Sequence, residues 1–187
     1  MNIFYLSNDP AECARFHVDK HTIKMILEYA QLLSTAHRIL DGRQSLGLSK
    51  TGRKQVRYIL SDERESILYT ATHINHPSAI WCRESVSNYM WLAELLEECC
   101  KEYSYRYGKV HKVESMGLMQ TLKNNIPTNI SDKPFTEPTP AMDEKYKVPG
   151  DSIASYQSYY INNKTHLASW KGKVNSRKQP EWYHASI

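Results

Sequence analysis

Residues Asp9–Gly42, DPAECARFHVDKHTIKMILEYAQLLSTAHRILDG, decide the fold of this chain. Asp9 is a good N-cap, Pro10 suits the first helical position, and Gly42 is a helix stop signal. Apolar side chains recur between these ends with the spacing of a helix, about 100° per residue. The segment therefore predicts one long N-terminal helix in a mainly α protein.

A narrow polar stripe runs along the predicted helix. Its members fall within one sector of the helical wheel: His17, His21, Lys24, Glu28, Gln31 and Thr35. Large apolar residues lie on both sides of the stripe, whereas a surface helix is polar over a broad face. Buried charges cost on the order of several kcal/mol unless they pair or take part in chemistry. The stripe predicts either a catalytic cleft or a buried ladder of ion pairs.

The residue types in the stripe indicate what chemistry a cleft would perform. A carboxylate beside an amine or an imidazole can stabilise a developing cation and move protons. His21, Lys24 and Glu28 are therefore candidate catalytic residues, and His17 and Gln31 are candidates for the lining of the substrate pocket. The i, i+4 spacing of the two histidines would also suit a metal ion. No HExxH motif accompanies them, so neither a metal nor another cofactor is expected.

A second group of candidates surrounds Pro77, which separates two predicted helices because the residue before a proline avoids the α region. A His just before a helix start, and an Arg close to a Trp, could bind phosphate or stack on a base. His76 and Trp81 are candidates for the substrate pocket, and Arg83 for nucleic-acid binding. The competing interpretation places Trp81 in the core and pairs Arg83 with an acid.

The remaining sequence predicts a single helical domain, residues 1–187, with two irregular parts. Residues 43–60 are basic, contain two glycines and predict a connecting loop that is flexible at least around Lys50–Lys54. Residues 125–150 contain five prolines and predict an ordered arm on the surface. The first seven residues predict a brief strand or an extended arm. Further helices are predicted at residues 61–73, from 77 to a stop at 108, at 113–122 and at 151–170.

The charge pattern favours a nucleic-acid partner, and double-stranded DNA in particular, because two separate basic regions could straddle a duplex. The net charge is only +4, but basic residues cluster near residues 53–57 and 171–178. Two Tyr-rich phrases, around Arg106 and from Tyr156 to Lys164, add aromatic side chains that could stack on bases. The side chains predicted to bind DNA are Arg53, Lys54, Arg83, Arg106, Lys171 and Lys173.

Cysteine usage and hydropathy predict a reducing cytoplasm. The four cysteines show no CxxC spacing, so a zinc site or a redox motif is not expected. The first residues, MNIFYL, lack the features of a signal peptide, and no apolar run is long enough to span a membrane.

Three stretches resemble phage-type pyrimidine-dimer DNA glycosylases of the endonuclease V type. In Asp19-Lys20-His21, with Glu28 seven residues after His21, the chain is similar to that family's first helix, where an Asp-x-His precedes the essential glutamate by the same interval. The other two are Asn75-His76-Pro77, followed by a helix that ends in Arg106-Tyr107-Gly108, and Pro180-Glu181-Trp182-Tyr183.

The resemblance implies a small helical DNA glycosylase or glycosylase/lyase, active in a phage-infected bacterial cytoplasm, that flips a nucleotide out of duplex DNA. An amine would attack the sugar C1′, and Glu28 would stabilise the cationic sugar. In the family this amine belongs to a small residue exposed by methionine removal, and Asn2 is poorly suited to that processing. Met1, Lys24 or a water molecule remains as the nucleophile.

Two sequence features depart from the family pattern. The stripe carries Leu27 and Gln31 where the family has arginines, and residues 43–60 and 125–150 make the chain longer. Two other functions therefore stay open. One is a non-catalytic accessory protein that binds nucleic acid or a host protein, and the other is an enzyme acting on a nucleotide-like small molecule.

Overall fold

The computed structural model describes residues 1–48 and 51–184, and it confirms the mainly α class. The helices in these residues are α1 (Pro10–Phe16), α2 (Asp19–Asp41), α3 (Arg64–Ile67), α4 (Pro77–Cys82), α5 (Val86–Tyr107), α6 (Lys112–Ser115), α7 (Leu118–Asn124), α8 (Ser152–Asn163) and α9 (Glu181–His184). Short 3-10 turns cover Glu144–Tyr146 and Thr165–Leu167. Strands β1 (Arg43–Leu48) and β2 (Lys54–Ile59) form an antiparallel hairpin.

The core lies between α2 and α5, with α1, α4 and α7 packed against these two helices. The buried side chains of α2 and α5 that build it include Met25, Ile26, Leu32, Leu33, Leu92, Leu95 and Leu96. Trp81 of α4 is also buried, and its indole N–H donates to the carbonyl of Thr136 at 2.8 Å. The prediction that Trp81 lines a substrate pocket is therefore wrong, because this side chain packs in the core.

The first helix is interrupted, contrary to the prediction of one continuous helix over residues 9–42. Asp9 caps α1 as predicted, but α1 ends at Phe16, and His17 and Val18 have extended backbone (ψ of 133° and 156°) before α2 begins. Neither residue is a glycine or a proline. The interruption turns His17 away from the stripe that α2 carries, so its side chain enters the core instead.

Arg106 of α5 stabilises this interruption from within the protein. Its guanidinium is fully buried and donates to the carbonyls of Arg15 and His17, both at 2.9 Å, where α1 ends. It also bonds the carboxylates of Glu102 at 2.6 Å and Asp19 at 3.0 Å. A buried arginine with four partners cannot reach a DNA backbone. The prediction that Arg106 binds DNA is therefore wrong.

Asp19, at the start of α2, holds the C-terminal segment of the protein. Its carboxylate accepts hydrogen bonds from the Ser169 hydroxyl at 2.6 Å and from the backbone N–H groups of Lys171 and Gly172 at 2.9 and 3.2 Å. Its own N–H donates to the carbonyl of Ser169. The Asp19-Lys20-His21 phrase thus combines a structural anchor with a residue of the candidate site.

The first seven residues form a buried extended arm rather than a strand. The side chains from Ile3 to Leu6 are buried, and Asn2 fixes the end of the arm. The Asn2 amide donates to the carbonyl of Ala141 at 2.9 Å, and its oxygen accepts from the Tyr156 hydroxyl at 2.6 Å. The position of Met1 is therefore set by contacts with the Pro-rich arm and with α8.

The prediction of a loop at residues 43–60 is wrong, because the described residues of this stretch form the β1–β2 hairpin. Of the range Lys50–Lys54, where the sequence predicts flexibility, Lys50 lies outside the described residues, and the flexibility of the others stays a prediction. The helix predicted at 61–73 is reduced to α3, and the run at 113–122 divides into α6 and α7 at Gly117, whose φ is +77°. Residues 125–150 are an arm without regular helix except for one 3-10 turn, as predicted.

The four cysteines are free and buried. Burial raises the pKa of Cys13 to about 12, so this thiol is protonated near neutral pH. Its S–H donates to the carbonyl of Phe4 at 3.1 Å, which joins α1 to the N-terminal arm. Cysteine therefore acts here as a small packing residue, as the sequence predicts.

Three buried histidines predict that stability falls in mild acid. Burial lowers the pKa of His17 and His37 to about 4 and that of His21 to about 3. Arg64 donates to Nδ1 of His37 at 3.0 Å, so a proton on that nitrogen would face another donor. The unfolded chain binds these protons near pH 6.5 and the folded chain does not, so stability is full above that pH and is lost as the pH falls toward 4.

Urea unfolding at pH 7, 6 and 5 measures this effect. Each histidine is expected to contribute a slope of up to about 1.4 kcal/mol per pH unit. A His37→Gln variant keeps a neutral side chain at this position and should show a shallower slope. Equal stability at pH 7 and pH 5 would contradict the neutral, buried state of these imidazoles.

Candidate functional site

A cleft of about 450 Å³ lies beside the first half of α2. Five parts of the chain meet there: the N-terminal arm, α2, the start of α4, the Pro-rich arm and the end of α8. The residues that line it are Met1, Asn2, Phe4, Lys20, His21, Lys24, Glu28, His76, Ala141, Tyr159, Lys164 and Leu167. Four of the side chains predicted for the active site from the sequence, and the predicted pocket residue His76, are therefore brought together here.

Glu28 lies at the centre of the titratable groups. The amino group of Met1 is 3.7 Å from Oε2 of Glu28, and the ammonium of Lys24 is 3.0 Å from Oε1. The side chain of Glu28 is 13% exposed, whereas that of Lys24 is 67% exposed. The alternative of a buried ion-pair ladder is thus wrong for this pair, because one partner is largely in solvent.

The cleft carries an excess of positive charge. Lys20, Lys24, Lys164 and the Met1 amine face one carboxylate, Glu28, among the lining residues. Lys164 is half-buried, and its ammonium lies 4.7 Å from the centre of the Tyr159 ring, which favours a cation. The excess of positive charge suits an anionic ligand. Glu28 places one carboxylate among these positive groups.

Both imidazoles of the cleft are neutral near pH 7. Burial, with the nearby charges of His17, Lys164 and Lys24, lowers the pKa of His21 to about 3. Its ring stacks on Phe4 at 4.1 Å, and its Nδ1 is 2.6 Å from the Tyr160 hydroxyl. His21 is therefore held rigidly and offers hydrogen bonding rather than charge.

His76 reaches the same cleft from the other side. It is the N-cap of α4, and its Nδ1 accepts from the N–H of Ser78 at 3.2 Å. Burial lowers its pKa, and the positive charge of the Met1 amine lowers it further, while Glu28 acts in the opposite direction. A second neutral imidazole thus lies within electrostatic range of the amine and the carboxylate.

Other predicted pocket residues lie outside the cleft. His17 is fully buried, and its two nitrogens contact the Cys13 carbonyl at 2.7 Å and the Tyr29 hydroxyl at 2.9 Å. The prediction that His17 lines the pocket is wrong, since the break between α1 and α2 separates it from His21. Gln31 is half-buried on α2 and is not part of the lining. Thr35 instead bonds the backbone of Thr72.

The predicted DNA contacts are distributed over several surfaces. Arg83 is half-buried and donates to the carbonyls of Ile74 and Ala79 at 2.8 and 2.9 Å, so it braces the turn before α4. Arg53 and Lys54 belong to the hairpin region, and Lys171 and Lys173 to the C-terminal segment; all four are exposed. None of these side chains lines the cleft.

Sequence reasoning missed several lining residues. Lys20 is one helical turn before Lys24, so the α2 spacing contained a signal for it. Tyr159 and Lys164 belong to a Tyr-rich phrase that the sequence marked without connecting it to α2. Asn2, Ala141 and Leu167 carry no sequence signal, because their position depends on how the arms cross the end of α8.

A larger cavity, about 900 Å³, lies between α1, α8 and the C-terminal segment. Two of its charged groups already have partners: Glu12 accepts from the Ser7 hydroxyl at 2.6 Å, and Arg177 bonds Glu102 at 2.9 Å. Functional groups converge in the smaller cleft and not in this one, so chemistry rather than volume identifies the candidate site.

Comparison with family models, with curated proteins and with solved structures finds no significant match for this chain. The described residues were also compared with the requirements of a metal site and of a membrane-spanning helix. Among residues 1–48 and 51–184, no three His, Cys, Asp or Glu side chains are grouped so that they could hold a metal ion. In the same part of the chain, no helix has the length and apolar character needed to cross a bilayer.

Proposed function

We propose that this protein is a DNA glycosylase/lyase that removes a damaged or modified base through an imine with the Met1 amine. The observation that carries the proposal is the 3.7 Å separation between the Met1 amino group and Glu28 in a cleft lined by lysines. An amine next to a carboxylate is the pair that imine formation at a sugar carbon requires. The resemblance of the α2 sequence to endonuclease V-type glycosylases agrees with this chemistry.

Met1 is a better candidate nucleophile than Lys24. The N-terminal arm holds Met1 through the bonds of Asn2, whereas the side chain of Lys24 is 67% exposed. A fixed nucleophile loses less freedom when it reaches the reacting carbon.

The proposed reaction consists of a substitution, a ring opening, an elimination and a hydrolysis. The unprotonated amine bonds to the sugar C1′ while the bond from C1′ to the base breaks, and the electron pair leaves on the base, which takes up a proton. The substituted amine loses its proton, and the C1′–O4′ bond breaks with its electron pair on O4′, which takes up a proton, to give a protonated imine. A base, for which Glu28 is well placed, then removes a C2′ proton, and the C3′–O bond breaks with its pair on the phosphate. Water finally hydrolyses the imine and frees the amine.

Glu28 would act before this elimination as well. Positive charge develops on the sugar as the base departs, and a preorganised carboxylate stabilises that charge more strongly than water does. Lys20, Lys24 and Lys164 would bind the phosphates that flank the flipped nucleotide. The proposed contacts with the rest of the duplex are the exposed Arg53, Lys54, Lys171 and Lys173.

Borohydride trapping tests the proposal, because it reduces an imine to a stable amine. The protein is incubated with duplexes that contain an abasic site, a pyrimidine dimer or an alkylated base, and adducts are detected on denaturing gels. We expect an adduct with the abasic duplex and with at least one damaged duplex. Acetylating the α-amine should abolish both adducts. Failure to trap on any duplex would contradict imine chemistry and favour a non-catalytic binding protein.

A further inference from the structure

The β1–β2 hairpin stands outside the core of the protein. Every described residue from 43 to 59 is half-buried or exposed. At its base, the guanidinium of Arg38 donates to the carbonyl of Tyr58 at 3.0 Å. Isolated two-stranded hairpins are only marginally stable in water, and exposed strands invite wrong pairing. Binding to a partner would cover the exposed strands and stabilise the hairpin.

The strand register separates the hairpin into two faces. Leu46 pairs with Val56 and Leu48 pairs with Lys54, so these side chains share one face. The exposed fractions on this face are 78% for Leu46, 59% for Leu48 and 46% for Val56. The three apolar side chains form a small ridge that no other described part of the protein covers.

Positive charge surrounds the ridge. The sequence from residue 43 to residue 60 contains five Lys or Arg residues and no Asp or Glu. No ion pair joins Arg43, Lys54 or Arg57 to a carboxylate in residues 1–48 and 51–184. Arg57 instead donates to the carbonyl of Leu48 at 2.7 Å and lies against Gly47, which stiffens the hairpin.

The acids at the base of the hairpin are already neutralised. Glu65 bonds Arg38 at 2.6 Å, and Arg64 bonds both Asp41 and Asp62, at 2.6 and 2.7 Å. These three acids therefore pair with Arg38 and Arg64 and not with Arg43, Lys54 or Arg57. The hairpin is a basic ribbon with an apolar ridge.

We propose that this hairpin enters the major groove of duplex DNA, with the ridge of Leu46, Leu48 and Val56 against the base edges and Arg43 and Lys54 on the flanking phosphates. The inference rests on the proposed function, which supplies the duplex. The major groove is about 12 Å wide and admits a two-stranded ribbon, and apolar side chains there contact thymine methyl groups. Five basic residues and no acid between residues 43 and 60 complement the phosphates that every duplex carries, which favours DNA over a protein partner.

The position of the hairpin predicts where on the duplex it binds. Its base follows α2 directly, and Glu28 is thirteen residues before Asp41 on that helix. At 1.5 Å per residue, the hairpin begins about 20 Å from the carboxylate. DNA rises about 3.4 Å per base pair, so with α2 lying along the duplex axis the contact is expected about six base pairs from the flipped nucleotide, on one side of it.

Binding of an undamaged duplex as a function of salt tests the cationic contacts. The variant Arg43→Gln/Lys54→Gln should lower the slope of log affinity against log salt by about 1.8, because each phosphate contact contributes about 0.9. The matched control is Lys133→Gln/Lys145→Gln on the Pro-rich arm, which removes the same charge and should leave the slope less changed. Equal slopes for the two variants would contradict the inference.

The ridge is tested by Leu46→Ser/Leu48→Ser. We expect at least a tenfold loss of duplex affinity with an unchanged salt slope, because the lost contacts are apolar. The control is Val148→Ser/Val174→Ser, which changes two exposed valines elsewhere and should bind like the wild type. Circular dichroism checks that each variant keeps its helices. Unaltered affinity in the ridge variant would overturn the inference.

Dimethyl sulfate protection distinguishes the groove, because it modifies guanine N7 in the major groove and adenine N3 in the minor groove. On a trapped complex we expect N7 protection about six base pairs from the abasic site, and its loss in the ridge variant. If the protein is trapped but this protection is absent, the hairpin inference fails and the proposed function stands. If the hairpin variants weaken duplex binding but no substrate is ever trapped, the proposed function fails and the groove contact stands.

A change in oligomeric state gives a further opposing outcome. Light scattering that shows self-association in the wild type and monomers in the ridge variant, with equal duplex affinity, would overturn the inference and assign the ridge to a second copy of this chain.

Discussion

Glu28→Gln is expected to lower the rate of base excision by a factor on the order of 10² or more, while the protein stays folded. The substitution keeps the shape of the side chain but removes the negative charge that the cationic sugar needs, and single electrostatic groups in active sites contribute effects of this size. Lys24, its closest partner at 3.0 Å, is largely exposed, so breaking this pair should cost less than about 1 kcal/mol of stability. Single-turnover excision and thermal melting, measured on the same variant, check both statements.

Glu98→Gln provides a matched control on α5. Glu98 also pairs with an exposed lysine, Lys101, at 2.7 Å, but it does not line the cleft. We expect the two variants to have similar stability and only Glu28→Gln to lose activity. Duplex affinity should hold or increase in Glu28→Gln, because one charge that repels phosphate is gone. A large stability loss, with activity falling only in proportion to the folded fraction, would make Glu28 a structural residue.

Arg106→Ala is expected to have the largest effect on stability, a loss of about 3–5 kcal/mol. The substitution leaves the buried carboxylate of Glu102 with Arg177 as its remaining ion-pair partner. It also leaves the carbonyls of Arg15 and His17 without their donor. Urea unfolding at pH 7 measures the loss. Arg106→Lys should recover only part of it, because an ammonium cannot reproduce the planar fork of hydrogen bonds.

The Arg106→Ala variant also tests whether Arg106 contacts DNA. At a temperature where both proteins are folded, Arg106→Ala should bind duplex DNA with the salt slope of the wild type. A stability loss below about 1 kcal/mol, together with a lower salt slope, would contradict its structural assignment and return this arginine to the DNA-binding surface.

The sequence predicted which α2 side chains share a face better than it predicted where the helix begins. The spacing of His21, Lys24 and Glu28 follows from the helical period alone, and all three line the cleft. The period could not predict that the helix breaks at His17, because the stabilising guanidinium of Arg106 lies 89 residues away in the chain. The same long-range contact explains why two predicted functional residues, His17 and Arg106, are parts of the core.

The hairpin was missed for a different reason. Residues 43–48 and 54–59 alternate only in part, as at Leu46-Gly47-Leu48 and Val56-Arg57-Tyr58, and both faces are exposed, so the pattern of a half-buried strand is weak. Glycines and basic residues in this stretch are equally typical of a loop. The tertiary contact of Arg38 with Tyr58, which fixes the hairpin to α2, is invisible in a local pattern.

The Met1 amine shows the limit of local reasoning at the site itself. The sequence left Met1, Lys24 and water open as nucleophiles. What separates them is the N-terminal arm, where Asn2 bonds Ala141 and Tyr156, more than one hundred residues later in the chain. These contacts depend on how the Pro-rich arm and α8 pack around the N-terminal arm. No short sequence motif encodes that packing.

The central claim is tested most directly by identifying the residue that carries the sugar after borohydride trapping on an abasic duplex. The trapped protein is digested with nuclease and protease, and its peptides are sequenced by mass spectrometry, which also establishes that the α-amine of Met1 is free. We predict that the modification lies on the Met1 amine, and that Lys24→Gln traps as well as the wild type. A sugar on Lys24 or on scattered surface lysines, with an unmodified Met1, would contradict the proposed active site.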